Sequence, residues 1–358
     1  MIAPATLRPT DLLDGFTLPS ELEATAPAEA RGLHRDQVRL MVSDADGVRH
    51  RRFRELPSEL RPGDLLVANN SATLPASVVV NQELAIHFST TLPGGLHVVE
   101  PRHVSGATSL PYPDPEPGRL ALPGGGILEL LARYPADSGS RRLWVARADL
   151  GRPLHEYLAT WGRPIRYRHG SGPFPLEAYQ TVFARIAGSA EMPSAGRPFT
   201  ERLITSLVAD GVSIAPLTLH TGVSSLEAGE APYPEWFQIP EATAAQVNHT
   251  RRQGGRVIAV GTTVVRALET TADSRRVSHP ARSWTDLVIG PSHEIRLVDG
   301  LITGWHDPAS THLDLLQAVA GRSLLTQSYQ SALDSGYLWH EFGDSHLIFP
   351  GNGDRLRP

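Results

Sequence analysis

Polar side chains that can hold a ligand or carry a proton follow four apolar runs of the sequence. They are Asn69 and Asn70, His220, Thr262 and Thr263, and His306. In α/β folds the carboxyl ends of parallel strands share one edge of the sheet, so these polar exits predict a cleft along that edge. Imidazole transfers protons near neutral pH, which makes His220 and His306 candidates for catalysis. Alternatively, either ring is a hydrogen-bonded histidine at the edge of the core.

A strand, a turn and a helix start follow one another around Gly261. Val257–Val260 is an apolar, β-branched run typical of a buried strand, and the spacing over Val264–Ala272 predicts a helix. Thr262 or Thr263 is the expected N-cap. Because the first N–H groups of a helix have no partners within it, this turn predicts a site for an anion or for ribose hydroxyls.

Arg266 lies one turn into that predicted helix, and Glu269 follows it at i, i+3 spacing. The arginine is expected to bind a carboxylate or phosphate of the substrate and to take part in catalysis. Glu269 is expected to orient the guanidinium group from the neighbouring turn. The alternative is an ordinary strand–helix connection with a capping threonine and a surface arginine.

The elements that must position these side chains fall into two compositional classes. Residues 76–150 contain short strands punctuated by Gly and Pro, which indicates an inserted all-β, barrel-like domain. Residues 1–75 and 151–358 predict a discontinuous α/β domain built from both chain ends. Within it we expect a helix over 176–186 and strands over 285–289 and 294–298.

The amino-acid composition excludes several kinds of chemistry. The 358-residue chain has a net charge of −5, 41% hydrophobic residues and no cysteine, and all 33 of its Lys+Arg residues are arginine. A thiolate nucleophile, a disulfide and a Schiff-base lysine are therefore excluded. No metal-ligand, phosphate-loop or dinucleotide motif occurs, so we expect no metal ion. No apolar run reaches the roughly 20 residues of a membrane span, and the N-terminus lacks signal-peptide order.

The acidic balance disfavours general coating of nucleic acid but leaves room for local basic faces. The candidate segments are residues 49–54, Arg163 with Arg166 and Arg168, and Arg251 with Arg252. The alternative for each segment is an edge exposed to solvent. The absence of cysteine fits the cytoplasm, which is the expected compartment.

A series of segments in the same order resembles the S-adenosylmethionine:tRNA ribosyltransferase-isomerase family, the queuosine-pathway enzymes usually called QueA. Gly254 to Glu269, which includes Val-Ile-Ala-Val-Gly-Thr-Thr-Val-Val-Arg-Ala-Leu-Glu, resembles the family's signature. The other similar segments are residues 60–71, 179–184, 188–203, 219–222, 298–311 and 342–348. The resemblance covers nearly the whole chain.

The resemblance implies a reaction and its partners. The ribosyl group of S-adenosylmethionine, a co-substrate rather than a tightly bound cofactor, would move onto the aminomethyl group of a 7-deazaguanine base of tRNA. Adenine and methionine would leave, and the ribose would rearrange to the epoxide of epoxyqueuosine. It also implies a monomer that does not bind membranes. By their motifs, further substrate-binding residues would be Tyr179, Gln180, Ser194, Gly196 and Thr200, with Asp344 closing the pocket from the C-terminal segment.

Some positions depart from the family's pattern. They are Asn70, Ala72 and Ser77, which replace an Asp, a Lys and an Arg; Pro198, which replaces a His; and residues 230–235, where only Glu235 matches. These changes fall in loops expected to face the acceptor. Two alternatives therefore stay open: a related enzyme that uses S-adenosylmethionine or a similar nucleoside with a non-tRNA acceptor, and a nucleotide- or RNA-binding protein without turnover.

Overall fold

The computed structural model describes residues 13, 15–105, 108–112, 115–135, 142–166, 172–223, 232–308 and 310–350. In this part of the chain the α-helices are α1 (Leu154–Trp161), α2 (Glu201–Ala209), α3 (Glu241–Arg252), α4 (Thr262–Thr271), α5 (Thr311–Ala320) and α6 (Arg322–Asp334). In chain order the strands are β1 (Arg39–Asp44), β2 (Gly47–Arg52), β3 (Leu65–Asn69), β4 (Ser71–Thr73), β5 (Ser77–Val79), β6 (Leu84–Thr91), β7 (His97–Ser105), β8 (Thr108–Pro111), β9 (Gly118–Ala121), β10 (Ile127–Tyr134), β11 (Leu143–Asp149), β12 (Gly162–Arg163), β13 (Ile186–Ser189), β14 (Ser213–Leu219), β15 (Glu235–Ile239), β16 (Val257–Val260), β17 (Ala281–Thr285), β18 (Gly300–Thr303) and β19 (Ser345–Ile348).

The main sheet is mixed and draws its strands from both ends of the chain. Its order among the described residues is β17-β15-β14-β3-β16-β18-β19-β1-β2. The four neighbours β14, β3, β16 and β18 run parallel, and Leu66 pairs with both Ile214 and Ile258. Every residue of β3 and β16 is buried, as expected for strands covered on both faces. Helix α4 packs on one face through Val265, and α2 covers the other through Leu207.

The second sheet is antiparallel and is built mostly from the inserted segment. Its described strands follow the order β12-β5-β6-β7-β11-β10-β9, with β8 paired to β7. Alternate side chains such as Phe88, Val99 and Trp144 form its core, which Tyr157 and Leu158 of α1 cover. The predicted fold class, an α/β domain with an inserted all-β, barrel-like domain, is confirmed. The boundaries at residues 76 and 150 stay a prediction; β12 joins this sheet from beyond residue 150.

Three predicted elements are wrong. The helix expected over 176–186 is a short 3₁₀ turn, Leu176–Tyr179, and Ile186 begins β13, because long-range pairing with β4 overrides the local apolar spacing. The strand expected over 285–289 ends at its first residue, since β17 covers Ala281–Thr285. Residues 294–298 form no strand, because their backbone N–H groups bond to a carboxylate described below.

Candidate active site

The carboxyl ends of β14, β3, β16 and β18 lie side by side, as predicted from the polar residues that follow the four apolar runs. Their side chains nevertheless point to different places. Thr262 and Thr263, which follow β16, line a cleft, whereas Asn69, Asn70, His220 and His306 do not. The edge of the sheet is thus predictable, but only part of it faces the cleft.

The cleft lies between the two sheets and is called the intersheet cleft here. The antiparallel sheet contributes Ser89, Thr90, Val98, Tyr134 and Leu143, and the α/β side contributes Thr262, Thr263, Arg266, Tyr233, Glu235 and His312 among others. Its open space measures about 900 Å³, including the mouth. Most of its wall is built by residues that are distant in sequence.

The N-terminus of α4 faces this cleft without a capping side chain. The helix begins at Thr262, and its N-cap is Gly261, so the expectation that a threonine caps the helix is wrong. Gly261 has φ 100°, a left-handed conformation that favours glycine, and its N–H donates to the carbonyl of Ile302 at 2.8 Å. No side chain caps the helix, and among the described residues the hydroxyls and N–H groups of Thr262 and Thr263 form no hydrogen bond, so they are available to a ligand.

Arg266 binds a carboxylate, but that carboxylate belongs to the protein. Its guanidinium forms a buried ion pair with Glu235 and donates to the carbonyls of Leu287 at 3.0 Å and Thr285 at 3.4 Å. Glu235 also accepts a hydrogen bond from the N–H of Gly222 at 3.1 Å. Burial raises the pKa of Glu235, and the charge of Arg266 acts in the opposite direction. Arg266 therefore joins three segments of the cleft wall.

Glu269 does not orient Arg266, contrary to the interpretation of their spacing. Its carboxylate accepts hydrogen bonds from the backbone N–H groups of Arg296, Leu297 and Val298 at 2.8, 2.9 and 3.3 Å. The side chain is 6% exposed. Glu269 thus anchors the segment that leads into β18.

Among the described histidines, His312 is the one that lines the cleft, and it is not one of the predicted site residues. Its Nδ1 lies 3.0 Å from the Ser310 hydroxyl, and among the described residues its Nε2 forms no hydrogen bond. Burial and the nearby charge of Arg266 lower the pKa of His312 to about 4. The ring is therefore neutral at pH 7 and able to accept a proton. The only sequence signal was its position directly after the similar segment 298–311.

His306 lies behind His312. The two rings are parallel, with centroids 4.4 Å apart and an interplanar angle of 1°. The Nε2 of His306 is 3.0 Å from the hydroxyl of Thr303. Burial lowers the pKa of His306 well below its usual value.

His220 lies in a separate enclosure. Its Nδ1 is 2.8 Å from the hydroxyl of Ser71, and its ring stacks on Trp236 at 4.9 Å. A side chain at Gly188 would meet the imidazole, so the glycine is needed for this close contact. Burial lowers the pKa of His220 to about 4. This environment matches the alternative of a hydrogen-bonded histidine at the core edge.

Three predicted polar residues bond to nearby backbone or side chains. Asn69 bridges to the backbone of Leu219, Asn70 accepts from the hydroxyl of Thr218, and Gln180 bonds to both backbone groups of Thr73. These contacts join strand ends to loops. None of the three side chains lines the intersheet cleft.

The other predicted residues lie near the segment 338–345. Tyr179 packs with Met192 and Phe342. The hydroxyl of Thr200 caps α2. Asp344 accepts hydrogen bonds from the N–H groups of Arg39 and Leu338. Ser194 and Asp344 line a smaller pocket, and Gly196 closes the adjoining 3₁₀ turn.

Two aromatic rings, one from the antiparallel sheet and one from the segment before β15, meet at the cleft and were not predicted. The rings of Tyr134 and Tyr233 have centroids 6.1 Å apart and are tilted by 41°. Tyr134 lies in the inserted segment, where strand alternation alone does not show which face meets the α/β sheet. Glu235 carried a signal, since it is the residue that matched the family pattern in segment 230–235.

Two of the basic segments are partly neutralised. Arg49 pairs with Asp44 and Glu59, and Arg51 also pairs with Glu59. Arg251 pairs with Asp299. Arg168 and residues 230 and 231 lie outside the described part of the chain.

Among the described residues, no group of three or more His, Asp or Glu side chains is placed to hold a metal ion. In the same part of the chain, no helix has the length and apolar character to cross a membrane.

The fold and the cleft define an α/β protein with an inserted β-unit and, between its two sheets, a cleft that polar side chains help to line. A neutral imidazole, a buried ion pair, uncapped helix N–H groups and two aromatic rings give that site the means for proton transfer and for binding a nucleoside-like ligand. The chain belongs to the queuosine biosynthesis protein family, whose model matches residues 14–348.

Similar proteins cover the chain almost end to end. An S-adenosylmethionine:tRNA ribosyltransferase-isomerase of Symbiobacterium thermophilum is 36% identical over 93% of this chain and 98% of its own length. The protein of the same name from Natranaerobius thermophilus is 34% identical over 93% of this chain and 97% of its own. The crystal structure of S-adenosylmethionine tRNA ribosyltransferase from Thermotoga maritima is 28% identical, with a TM-score of 0.52 over 94% of this chain and all of that one.

Proposed function

We propose that this protein transfers and isomerises the ribosyl moiety of S-adenosylmethionine onto a 7-aminomethyl-7-deazaguanine base of tRNA, forming epoxyqueuosine. S-adenosylmethionine is the co-substrate and tRNA the acceptor. The proposal is supported by relatives named S-adenosylmethionine:tRNA ribosyltransferase-isomerase, which match nearly the whole chain. The observation that carries it is the intersheet cleft, where His312, Thr262, Thr263 and the Glu235–Arg266 pair meet.

The chemistry requires a base beside the sulfonium of the donor. Removal of a proton from the carbon next to that sulfonium starts the transfer, and the departing adenine needs a hydrogen bond or a proton. We assign the proton transfer to His312, because its neutral ring lines the cleft with Nε2 unbonded among the described residues. In this proposal His220 and His306, the sequence-derived candidates, do not touch the substrate.

The remaining cleft groups match parts of the donor. The open N-terminus of α4, with Thr262 and Thr263, suits the methionine carboxylate or the ribose hydroxyls. Tyr134 and Tyr233 offer aromatic faces for a purine and for the sulfonium cation. Arg266 and Glu235 hold the wall between them rather than the substrate itself.

Two further features belong to the proposal. The chain is expected to act as a monomer, which sedimentation of the pure protein would check. Its expected compartment is the cytoplasm, since a cysteine-free chain needs no oxidising environment to fold.

The test is adenine release from S-adenosylmethionine, followed by chromatography, with tRNA that carries the precursor base. The wild-type protein is expected to release adenine only when that tRNA is present. His312→Gln is expected to lower the rate by about 100-fold or more, the usual contribution of acid–base catalysis. His155→Gln, at an exposed histidine of α1, is the matched control and is expected to keep the wild-type rate.

Other outcomes point to the alternatives. Adenine release without tRNA, or with a small amine acceptor, would replace the tRNA acceptor by another substrate. Tight binding of S-adenosylmethionine without any adenine release would identify a binding protein without turnover. A His312→Gln variant with wild-type activity would remove His312 from the mechanism.

A further inference from the structure

We propose that His306 is a positioning residue that holds the imidazole of His312 in its working orientation through ring stacking. The inference rests on the proposed function, in which His312 transfers the proton. In this inference His306 does not touch the reacting atoms, since it does not line the intersheet cleft. Ring contact, rather than a hydrogen bond between the imidazoles, carries the effect.

His306 is itself held at several points. Its Nε2 lies 3.0 Å from the Thr303 hydroxyl, at the end of β18. Its carbonyl accepts a hydrogen bond from the indole N–H of Trp339 at 3.2 Å, and its N–H donates to the Tyr329 hydroxyl at 3.4 Å. Both Tyr329 and Trp339 are fully buried. The backbone of His306 is therefore anchored in the core of the α/β unit, and Thr303 holds its ring.

His312 has fewer attachments of its own. Ser310 bonds to its Nδ1 and also accepts a hydrogen bond from its backbone N–H at 3.3 Å. One in-plane bond fixes a point on the imidazole but leaves the ring free to tilt about that point. The parallel face of His306, with ring centroids 4.4 Å apart, restricts this tilt and so holds the ring of His312 at the cleft wall. Since reacting atoms must be placed closely, a small tilt is expected to lower the rate strongly.

The stack also requires both rings to be uncharged. Arg266 faces His312 from α4, with Glu235 as its partner. His340 faces His306 and lies 3.7 Å from Asp307 at their nearest polar atoms. Burial lowers the pKa of both His306 and His312, so neither ring carries a charge at neutral pH. Loss of the covering ring would admit water to His312 and would raise its pKa toward 6.5.

The experiment compares His306→Ala with His306→Phe, which keeps an aromatic face. For His306→Ala we expect kcat for adenine release to fall about 10- to 100-fold, with KM for S-adenosylmethionine within about twofold. His306→Phe is expected to restore kcat to within about threefold of the wild type. A Thr303→Val variant, which frees the His306 ring, should fall between them. Thermal melts of all variants show which of them are folded.

A second readout does not depend on turnover. In the histidine-labelled free protein, the NMR signal of His312 is assigned by its loss in His312→Gln, and its titration midpoint is measured. We expect the midpoint to rise by about one unit or more in His306→Ala and to stay near the wild-type value in His306→Phe. If the wild type releases no adenine, the proposed function fails while this titration still tests the stack.

Two results would overturn the inference. One is a folded His306→Ala variant with wild-type kcat and an unchanged His312 titration. The other is an equal loss of kcat in the Phe and Ala variants without any change in the His312 signal, which would indicate a role unrelated to stacking.

Discussion

At the scale of single residues, Arg266 shows how one buried cation organises a cleft. The side chain is 10% exposed and joins Glu235 to the carbonyls of Leu287 and Thr285. A buried charge without its partner is strongly unfavourable, whereas removal of both charges is often tolerated. The pair therefore allows stability and activity to be separated experimentally.

We expect Arg266→Met and Glu235→Gln each to lower the free energy of unfolding by about 3–5 kcal/mol. The double variant should recover part of that loss, because no uncompensated charge remains. Adenine release should stay low in all three variants, since the cleft wall loses its connection. Denaturant titration of the four proteins gives the coupling energy.

The matched control for this cycle is an exposed ion pair. Arg147 and Glu129 lie 3.2 Å apart, with Arg147 66% exposed. Arg147→Met and Glu129→Gln should each change stability by less than about 1 kcal/mol. Equal effects at the two pairs, or purely additive losses at Arg266 and Glu235, would contradict the importance given to the buried pair.

At the scale of elements, the sequence predicted the strands of the parallel core well. The run 257–260 is continuously apolar because both faces of the sheet are covered, and the strand ends marked by Asn69, His220 and Thr262 do meet at one edge. The same local signal failed at Leu176, where pairing between β13 and β4 decides the backbone conformation. Local patterns therefore predict elements where burial is uniform and fail where distant partners supply the hydrogen bonds.

The candidate site was predictable only at the start of α4. Thr262 and Thr263 follow β16 after the single residue Gly261, so their position depends on local geometry. Ser89 and Tyr134 reach the cleft because the antiparallel sheet lies against the α/β sheet, and no periodicity within the insert contains that information. The position of His312 at the cleft could not be predicted, because it depends on the path of the loop that follows β18.

Glu269 supplies the prediction at this scale, since one carboxylate holds three consecutive backbone N–H groups. Glu269→Ala leaves buried donors without partners and should lower stability by about 2–5 kcal/mol. Glu269→Gln, which keeps one acceptor oxygen, should lose less. Denaturant titration measures both.

The control is Glu241→Ala, at an exposed carboxylate in the first turn of α3, with an expected loss below about 1 kcal/mol. If Glu269→Ala left stability intact and weakened only the binding of S-adenosylmethionine, the original interpretation of its spacing with Arg266 would be restored.

At the scale of the whole molecule, burial of neutral imidazoles links the fold to pH. Burial lowers the pKa of His87 and of His346 to about 3, and the charges of Arg102 and Arg142 act in the same direction on His87. Neither ring touches the intersheet cleft. His87 belongs to the antiparallel sheet and His346 to the main sheet, so both halves of the fold carry the same sensitivity.

The direction in which stability changes with pH follows from proton binding. Below pH 6.5 the unfolded chain takes up a proton at each of these histidines, whereas the folded protein does not until about pH 3. Stability therefore falls as the pH decreases through this window, by up to about 1.4 kcal/mol per pH unit for each group. Glu341 acts in the opposite direction, since burial raises its pKa to about 8 and the folded state holds an extra proton there.

Because these contributions oppose one another, the total slope does not isolate any one group, and a variant is needed. His87→Met keeps a side chain of similar size and removes the titrating ring. Between about pH 5.5 and 4.5 we expect its unfolding free energy to depend on pH by about one proton less than that of the wild type. Denaturant titrations at several pH values measure the difference, with His155→Met at an exposed position as control. An equal pH dependence of the unfolding free energy in His87→Met and the wild type would mean that His87 binds its proton equally in the folded and unfolded states. That result would contradict the conclusion that burial keeps the His87 ring neutral.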